Sequence, residues 1–344
     1  MKSIRKWHRV AWAAVVFGLP LHVALGADSP PPQDQRAAMA EMRAKQAALP
    51  DTPGTGRFPA LKEETPSLPD HVVYRPAHLD ALGSTKLGLY IFGNGACSND
   101  GASARLHLLE IASHGYLAIA PGRIRNGPGA TVPPSPVPVA APLAPEPRAL
   151  ENGTLPSLPA PPTSYTDLVS ALDWALATND DPKSPYYKRI DPKAVAVSGY
   201  SCGGLQALQL AGDSRVKTVV VMNSGIFNPG SAPPIGGMSQ SKTLLATLHT
   251  PTLYILGGKT DIAYANGTDD FARIGHVPVF LGNVLNVGHG GTYWEPNGGK
   301  AAVAVVAWLD WQLRKDRSAA KMFVGKDCGL CADAAWTVEK RKID

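Results

Sequence analysis

Cysteine is scarce in this chain: four in 344 residues, at Cys97, Cys202, Cys328 and Cys331. A zinc site needs two close ligand pairs, and only Cys328 and Cys331 have CxxC spacing, so no metal site is expected. That CxxC lies at the C-terminal end, outside any βαβ pattern, which argues against a thioredoxin-type redox site. Net charge is scarce as well. The formal charge is +5, but Lys2, Arg5, Lys6 and Arg9 lie in a stretch without an acid, and without them only +1 remains. A chain so nearly neutral gives no electrostatic case for binding nucleic acid or an anionic membrane. Beyond the N-terminus no segment is long and apolar enough to cross a bilayer. No internal repeat is visible.

The N-terminus is the exception. "MKSIRKWHR" is a positive n-region, "VAWAAVVFGLPLHVALG" is apolar, and "ALG" before Ala27 puts small residues at a cleavage position. Residues 1–26 therefore read as an export signal. The rival is an uncleaved anchor, but the run holds Gly18, Pro20 and His22 and falls short of the roughly 20 residues a span needs. No cysteine follows it, so a lipoprotein is not expected. Export implies a secreted or periplasmic protein with no membrane association once the signal is removed. In an oxidising compartment four cysteines suggest two disulfides, with three possible pairings.

Residues 27–70 are rich in Pro, Ala and charge and read as a linker or surface strap, with one short helix near Arg36 to Ala48. From residue 71 strands and helices alternate. "HVVYRP", "KLGLYIF", "YLAIAPG", "KAVAVSG", "VKTVVVMNSG", "TPTLYILGG" and "VPVFLGNV" are strand-like. "ASARLHLLEIASHG", "TDLVSALDWALATN", "GGLQALQLAG", "DDFARIG" and "GKAAVAVVAWLDWQLRKD" have helical spacing. The strand runs are continuously apolar, as in a mostly parallel sheet covered by helices on both faces. An α/β domain over 71–316 follows, with a tail over 317–344. Residues 123–163 interrupt it. Twelve of the 32 prolines fall there, and proline removes donors and fixes φ, so neither helix nor sheet can run through. An exposed excursion is the plain reading; a flap over a site is the sharper one.

"GYSCG" places Ser201 between a buried strand and a helix, with glycines two residues before and two after. A sharp strand-to-helix turn brings those flanking residues close together, which glycine tolerates. The following helix aims its N-terminal N–H groups at the serine, where negative charge would develop. Ser201 is therefore the candidate nucleophile; a structural Ser-Gly turn is the bland alternative. A serine needs a base. His289, in "NVGHGGTYW", follows the last expected strand and precedes the closing helix, in a glycine-rich loop that can return to the serine. His276 is the reserve, at the opposite edge, while His107 and His114 look like helix-surface residues. The imidazole needs a carboxylate, and Asp261 follows a strand end and two glycines. Asp269 and Asp270 compete, but fit better as the cap and first-turn charge of the next helix. The order Ser201, Asp261, His289 is that of α/β-hydrolases. Oxyanion donors are expected from the N–H of Cys202 and, in "FGNGACSND", of Asn94. A dinucleotide turn is the rival for that loop, but position 98 is Ser and the next strand ends without an acid. Tyr200, Tyr293 and Trp294 are candidate pocket walls, with ordinary packing as the alternative.

The motifs "FGNG", "GYSCGG", "GGKTD" and "NVGHGG", in that order, make residues 71–316 resemble secreted α/β-hydrolases. The branch that the chain is similar to holds dienelactone-hydrolase-like, chlorophyllase-like and polyester-hydrolase-like enzymes. The resemblance implies hydrolysis of a carboxylic ester, small or polymeric, through an acyl-enzyme and without cofactor. The proline-rich insertion, "SCG" after the tyrosine and the tail "CGLCADAAW" depart from the pattern. Three alternatives stand beside this reading: a peptidase or amidase with the same triad, a binding protein on an inactive hydrolase fold, and a structural envelope protein. An active esterase should gain activity with pH through the range near ~6.5, the reference value of histidine. If both loops supply oxyanion donors, Cys97 and Cys202 are neighbours. A Cys97–Cys202 disulfide and a Cys328–Cys331 bridge are then expected, with buried free thiols at 97 and 202 the competing expectation.

Overall fold

The computed structural model describes residues 41, 44–133, 160–231 and 238–344. The expected signal, most of the 27–43 stretch and the proline-dense centre of the insertion lie outside the described residues. Of the short helix expected near Arg36 to Ala48, residues 44–48 are described and helical.

The chain is α/β; its described residues form one nine-stranded sheet. In chain order the elements are β1 (Ala60–Thr65), β2 (Leu68–Pro76), β3 (Leu87–Gly93), α1 (Arg105–Ser113), β4 (Tyr116–Pro121), α2 (Tyr165–Asp180), β5 (Ile190–Tyr200), α3 (Cys202–Leu210), β6 (Thr218–Met222), β7 (Thr252–Leu256), α4 (Tyr264–Arg273), β8 (Val279–Val284), α5 (Gly299–Arg314), α6 (Arg317–Ala320), α7 (Gly329–Ala332) and β9 (Trp336–Arg341). The sheet order is β1-β2-β4-β3-β5-β6-β7-β8-β9. β4, β3, β5, β6, β7 and β8 pair in parallel; β1, β2 and β9 join antiparallel.

Alternation along the central strands feeds two cores. Leu87, Leu89 and Ile91 of β3 face a cluster with Leu168 and Leu172 of α2, Leu205 and Leu208 of α3 and Phe271 of α4. Tyr90 and Phe92 face the other, with Leu108 and Ile111 of α1 and Trp308 and Leu309 of α5. Each side chain is withdrawn from water by the helix opposite it, the main favourable contribution to folding. α2 begins at a capping box, in which Ser164 and Asp167 satisfy each other's backbone donors.

Two boundaries differ from the sequence reading. The sheet begins at Ala60, inside the stretch read as a linker, because β1 pairs with β2 from Ala60↔Pro76 onward. The tail belongs to the domain: β9 pairs with β8 from Val279↔Arg341 to Val284↔Trp336. Phe323 of the tail packs edge-on against Trp308, ring centroids 5.1 Å apart. Cys328 and Cys331 form a disulfide, and so do Cys97 and Cys202.

Two residue readings also need correction. His107 is not a surface residue. It is fully buried, its Nε2 lies 3.0 Å from the Tyr90 hydroxyl, and Tyr90 donates to Ser198 Oγ at 2.8 Å. Burial pushes its imidazole down to about 3. His114 is partly exposed, with Nε2 3.0 Å from Glu110 Oε1. The helix expected from Asp269 starts at Tyr264 instead, so Asp269 and Asp270 sit in its later half and cap nothing.

Among the described residues no helix is long and apolar enough to cross a membrane.

Candidate active site

β3 leads through α1 to β4 on one side of it, whereas β5 leads through α3 to β6 on the other. The switch point of the sheet therefore lies between β3 and β5, and open α/β sheets bind ligands at the carboxyl ends of strands near such a point. Ser201 stands between β5 and α3, directly after the strand. Its backbone lies at φ 53°, ψ −122°, a region that costs a non-glycine residue ~1–3 kcal/mol. The neighbours over-determine this geometry. A Cβ on Gly199 would stand 2.1 Å from the Gly203 carbonyl oxygen, and one on Gly203 would stand 2.0 Å from that of Gly93. Glycine at both places lets β5, α3 and the loop after β3 pack backbone to backbone. Ser201 N donates to Met222 O at 2.9 Å, and Ser224 Oγ donates to Ser201 O at 2.6 Å.

Three side chains distant in sequence meet here. Ser201 Oγ is 2.9 Å from His289 Nε2, and His289 Nδ1 is 2.7 Å from Asp261 Oδ1. A carboxylate can only accept, so Nδ1 carries the proton, and Nε2 offers its lone pair to the serine hydroxyl. Burial pushes the Asp261 carboxyl up. The hydrogen bonds from His289, Ala263 N and Gly257 N outweigh that and hold it below the usual range. His289 sits in the loop after β8 and is partly exposed; Asp261 follows β7 and is buried.

The sequence reading missed Asn223. It stands just after β6, 1% exposed, at φ 44°. Its Nδ2 donates to Asp261 Oδ2 at 2.8 Å and to Gly288 O at 3.1 Å, while its Oδ1 accepts from Tyr293 OH at 2.6 Å. One amide thus ties the carboxylate to the loop bearing His289. The signal in the sequence is the "MNSG" at a strand end on the same sheet edge as "GYSCG" and "GGKTD".

The expected pocket walls are elsewhere. Tyr200 donates its hydroxyl to His289 O at 2.7 Å and its ring packs against Tyr293 at 4.6 Å. Tyr200 bonds the His289 loop directly and Tyr293 does so through Asn223, and Trp294, partly exposed, is not at the cavity either. The cavity that opens on Ser201 and His289 is walled by Leu205, Phe227, Met238 and Ile262. The competing residues lie away from the serine. Asp270 Oδ1 accepts from Lys242 at 2.6 Å, and Asp269 pairs with Lys242 and Arg273. His276 precedes β8, its Nε2 2.8 Å from Leu248 O.

Of the two expected oxyanion donors, Cys202 occupies the first position of α3, where a helix leaves its N–H groups without internal partners. Asn94 is different. It has no exposed surface, and its Nδ2 donates to Ser98 O at 2.9 Å and Pro121 O at 2.7 Å. Its side chain anchors the loop, and the residue as a whole is enclosed. Gly95, next along, is partly accessible. The Cys97–Cys202 disulfide joins this loop to the residue after Ser201.

The sequence matches no family model, and a search of curated proteins finds no relative.

Proposed function

We propose that the chain is a serine hydrolase of the α/β-hydrolase fold that cleaves carboxylic esters through an acyl-enzyme. The observation that carries this reading is the chain of contacts Ser201–His289–Asp261 at the carboxyl ends of parallel strands.

Ser201 Oγ attacks the ester carbonyl while His289 Nε2 takes its proton. The imidazolium that forms is stabilised by Asp261, whose carboxylate is held by three further donors, Asn223 Nδ2, Gly257 N and Ala263 N. Negative charge on the carbonyl oxygen is met by the Cys202 N–H at the start of α3, with the N–H of Gly95, a partly accessible residue, as the second donor in place of the enclosed Asn94. His289 returns its proton to the leaving alcohol. Water, deprotonated by the same nitrogen, then releases the acid and restores Ser201. The strained backbone at Ser201 keeps the hydroxyl raised above the sheet, so little reorganisation is needed at the moment of attack.

Residues 1–26 act as an export signal in this reading. The two disulfides support it, since such bonds persist in oxidising compartments. The test is a panel of p-nitrophenyl esters and aminoacyl anilides. Wild type cleaves short esters, and Ser201→Ala does not. Ester cleavage at equal rates by both proteins refutes the reading.

A further inference from the structure

The cavity beside Ser201 and His289 has a volume of about 260 Å³. A single water needs only ~10–15 Å³ of such space, so there is room for a group of several heavy atoms. Its walls are apolar: Leu205, one turn beyond Ser201 on α3, with Phe227, Met238, Ile262 and Ala263. Ile262 directly follows Asp261 and is 78% exposed, an apolar rim at the mouth.

The polar side chains at the cavity are already engaged. Ser224 Oγ donates to Ser201 O. Asn223 is bonded to Asp261, Gly288 O and Tyr293. Asn266 Oδ1 accepts from Asn228 N at 3.2 Å. Among the described residues, His289 is the one ionisable side chain lining the space. Lys242, which reaches the Asn266 carbonyl oxygen at 3.2 Å, is committed to Asp269 and Asp270. A carboxylate placed here would lose its hydration without gaining a cation, whereas an alkyl or aryl group would gain by leaving water.

We infer that this cavity takes an uncharged, apolar substituent of the ester, aliphatic or aromatic, larger than acetyl and excluding a carboxylate-bearing one. The inference rests on the esterase reading. The substituent can lie on the acyl or the alcohol side of the bond, and the two arms of the test separate these. In the acyl arm, p-nitrophenyl hexanoate is compared with mono-p-nitrophenyl adipate, which has the same carbon count but ends in a carboxylate. In the alcohol arm, hexyl acetate is compared with 6-acetoxyhexanoate. The expected result is a kcat/KM at least about tenfold higher for the uncharged member of one arm, the scale on which apolar pockets discriminate. Met238→Lys, which sets a cation in the wall, should shrink that ratio.

Equal rates within both arms overturn the inference, as does cleavage of p-nitrophenyl acetate with no cleavage of the six-carbon esters. p-Nitrophenyl acetate also separates the two levels of the argument: if no ester is hydrolysed at all, the esterase reading itself falls.

Discussion

Asn223 donates its side-chain amide to Asp261 Oδ2 at 2.8 Å from a backbone held at φ 44°. A hydrogen bond to a charged group contributes ~1.5–3 kcal/mol, and this one fixes the carboxylate that orients His289. Asn223→Ala should therefore lower kcat by about 10- to 100-fold, with KM little changed. Asn223→Asp places a second carboxylate against Asp261, so it should lose more than the alanine variant at pH 8. Its activity relative to wild type should rise as the pH falls and the new acid protonates. A purely structural role for Asn223 predicts no such pH-dependent ratio.

Asp261→Asn keeps the size of the side chain but removes its charge and turns one of the two acceptor oxygens, which together meet His289 Nδ1, Asn223 Nδ2, Gly257 N and Ala263 N, into a donor. The expected loss in kcat is ~10⁴-fold, as for the equivalent change in other triads. Stability follows a separate rule. The Asp261 carboxyl is held below its ordinary range in the folded state, so the unfolded chain binds its proton first as the pH falls. Its contribution is complete above the ordinary carboxylate range and is lost as the pH drops through the lowered folded value. Urea denaturation at pH 5 and at pH 3 should show the wild-type advantage over Asp261→Asn shrinking at the lower pH.

The two disulfides should differ in what they contribute. Cys97–Cys202 spans 105 residues and Cys328–Cys331 spans 3. Loop-closure entropy assigns ~5 kcal/mol to the first and ~1.5 kcal/mol to the second. Cys97→Ser/Cys202→Ser should lower Tm well beyond the Cys328→Ser/Cys331→Ser pair. It should also lower kcat, because the loop carrying Gly95 loses its tie to the residue after Ser201. Equal Tm losses for the two pairs would contradict this account.

Gly203→Ala would put a Cβ 2.0 Å from the Gly93 carbonyl oxygen, against backbone that cannot rotate away. The strand end, α3 and the loop after β3 must then separate. The expected outcome, read by circular dichroism and thermal melting, is an unstable protein with little ester cleavage. Gly290→Ala, at a position open to solvent, should melt near wild type.

What could be read from the sequence depended on whether its cause was local. The α/β alternation is legible because each strand run carries its own apolar signal. The turn around Ser201 is legible because the close approach of Gly199 to Gly203 lies within five residues, although Gly203 is also held by the distant Gly93. The burial of His107 is not, since it follows from Tyr90 and from α5 closing over α1, contacts fixed by the sheet as a whole. β1 and β9 escaped for a related reason: edge strands such as "ALKEET" and "WTVEKR" alternate with charge and resemble exposed segments until a partner strand is known. Asn223 is a common residue after a common strand, and only the convergence of β6, β7 and the His289 loop gives it a role. Asn94 shows the converse. The loop was identifiable, but which of its amides stays accessible depends on the Ser98 and Pro121 carbonyls that bury Asn94.

The most direct test of the central claim is a covalent one. The native protein is treated with a fluorophosphonate, digested and mapped by mass spectrometry. A single adduct on Ser201, lost in His289→Ala as well as in Ser201→Ala, is the predicted result. An unlabelled Ser201 in a protein that still cleaves esters would contradict it.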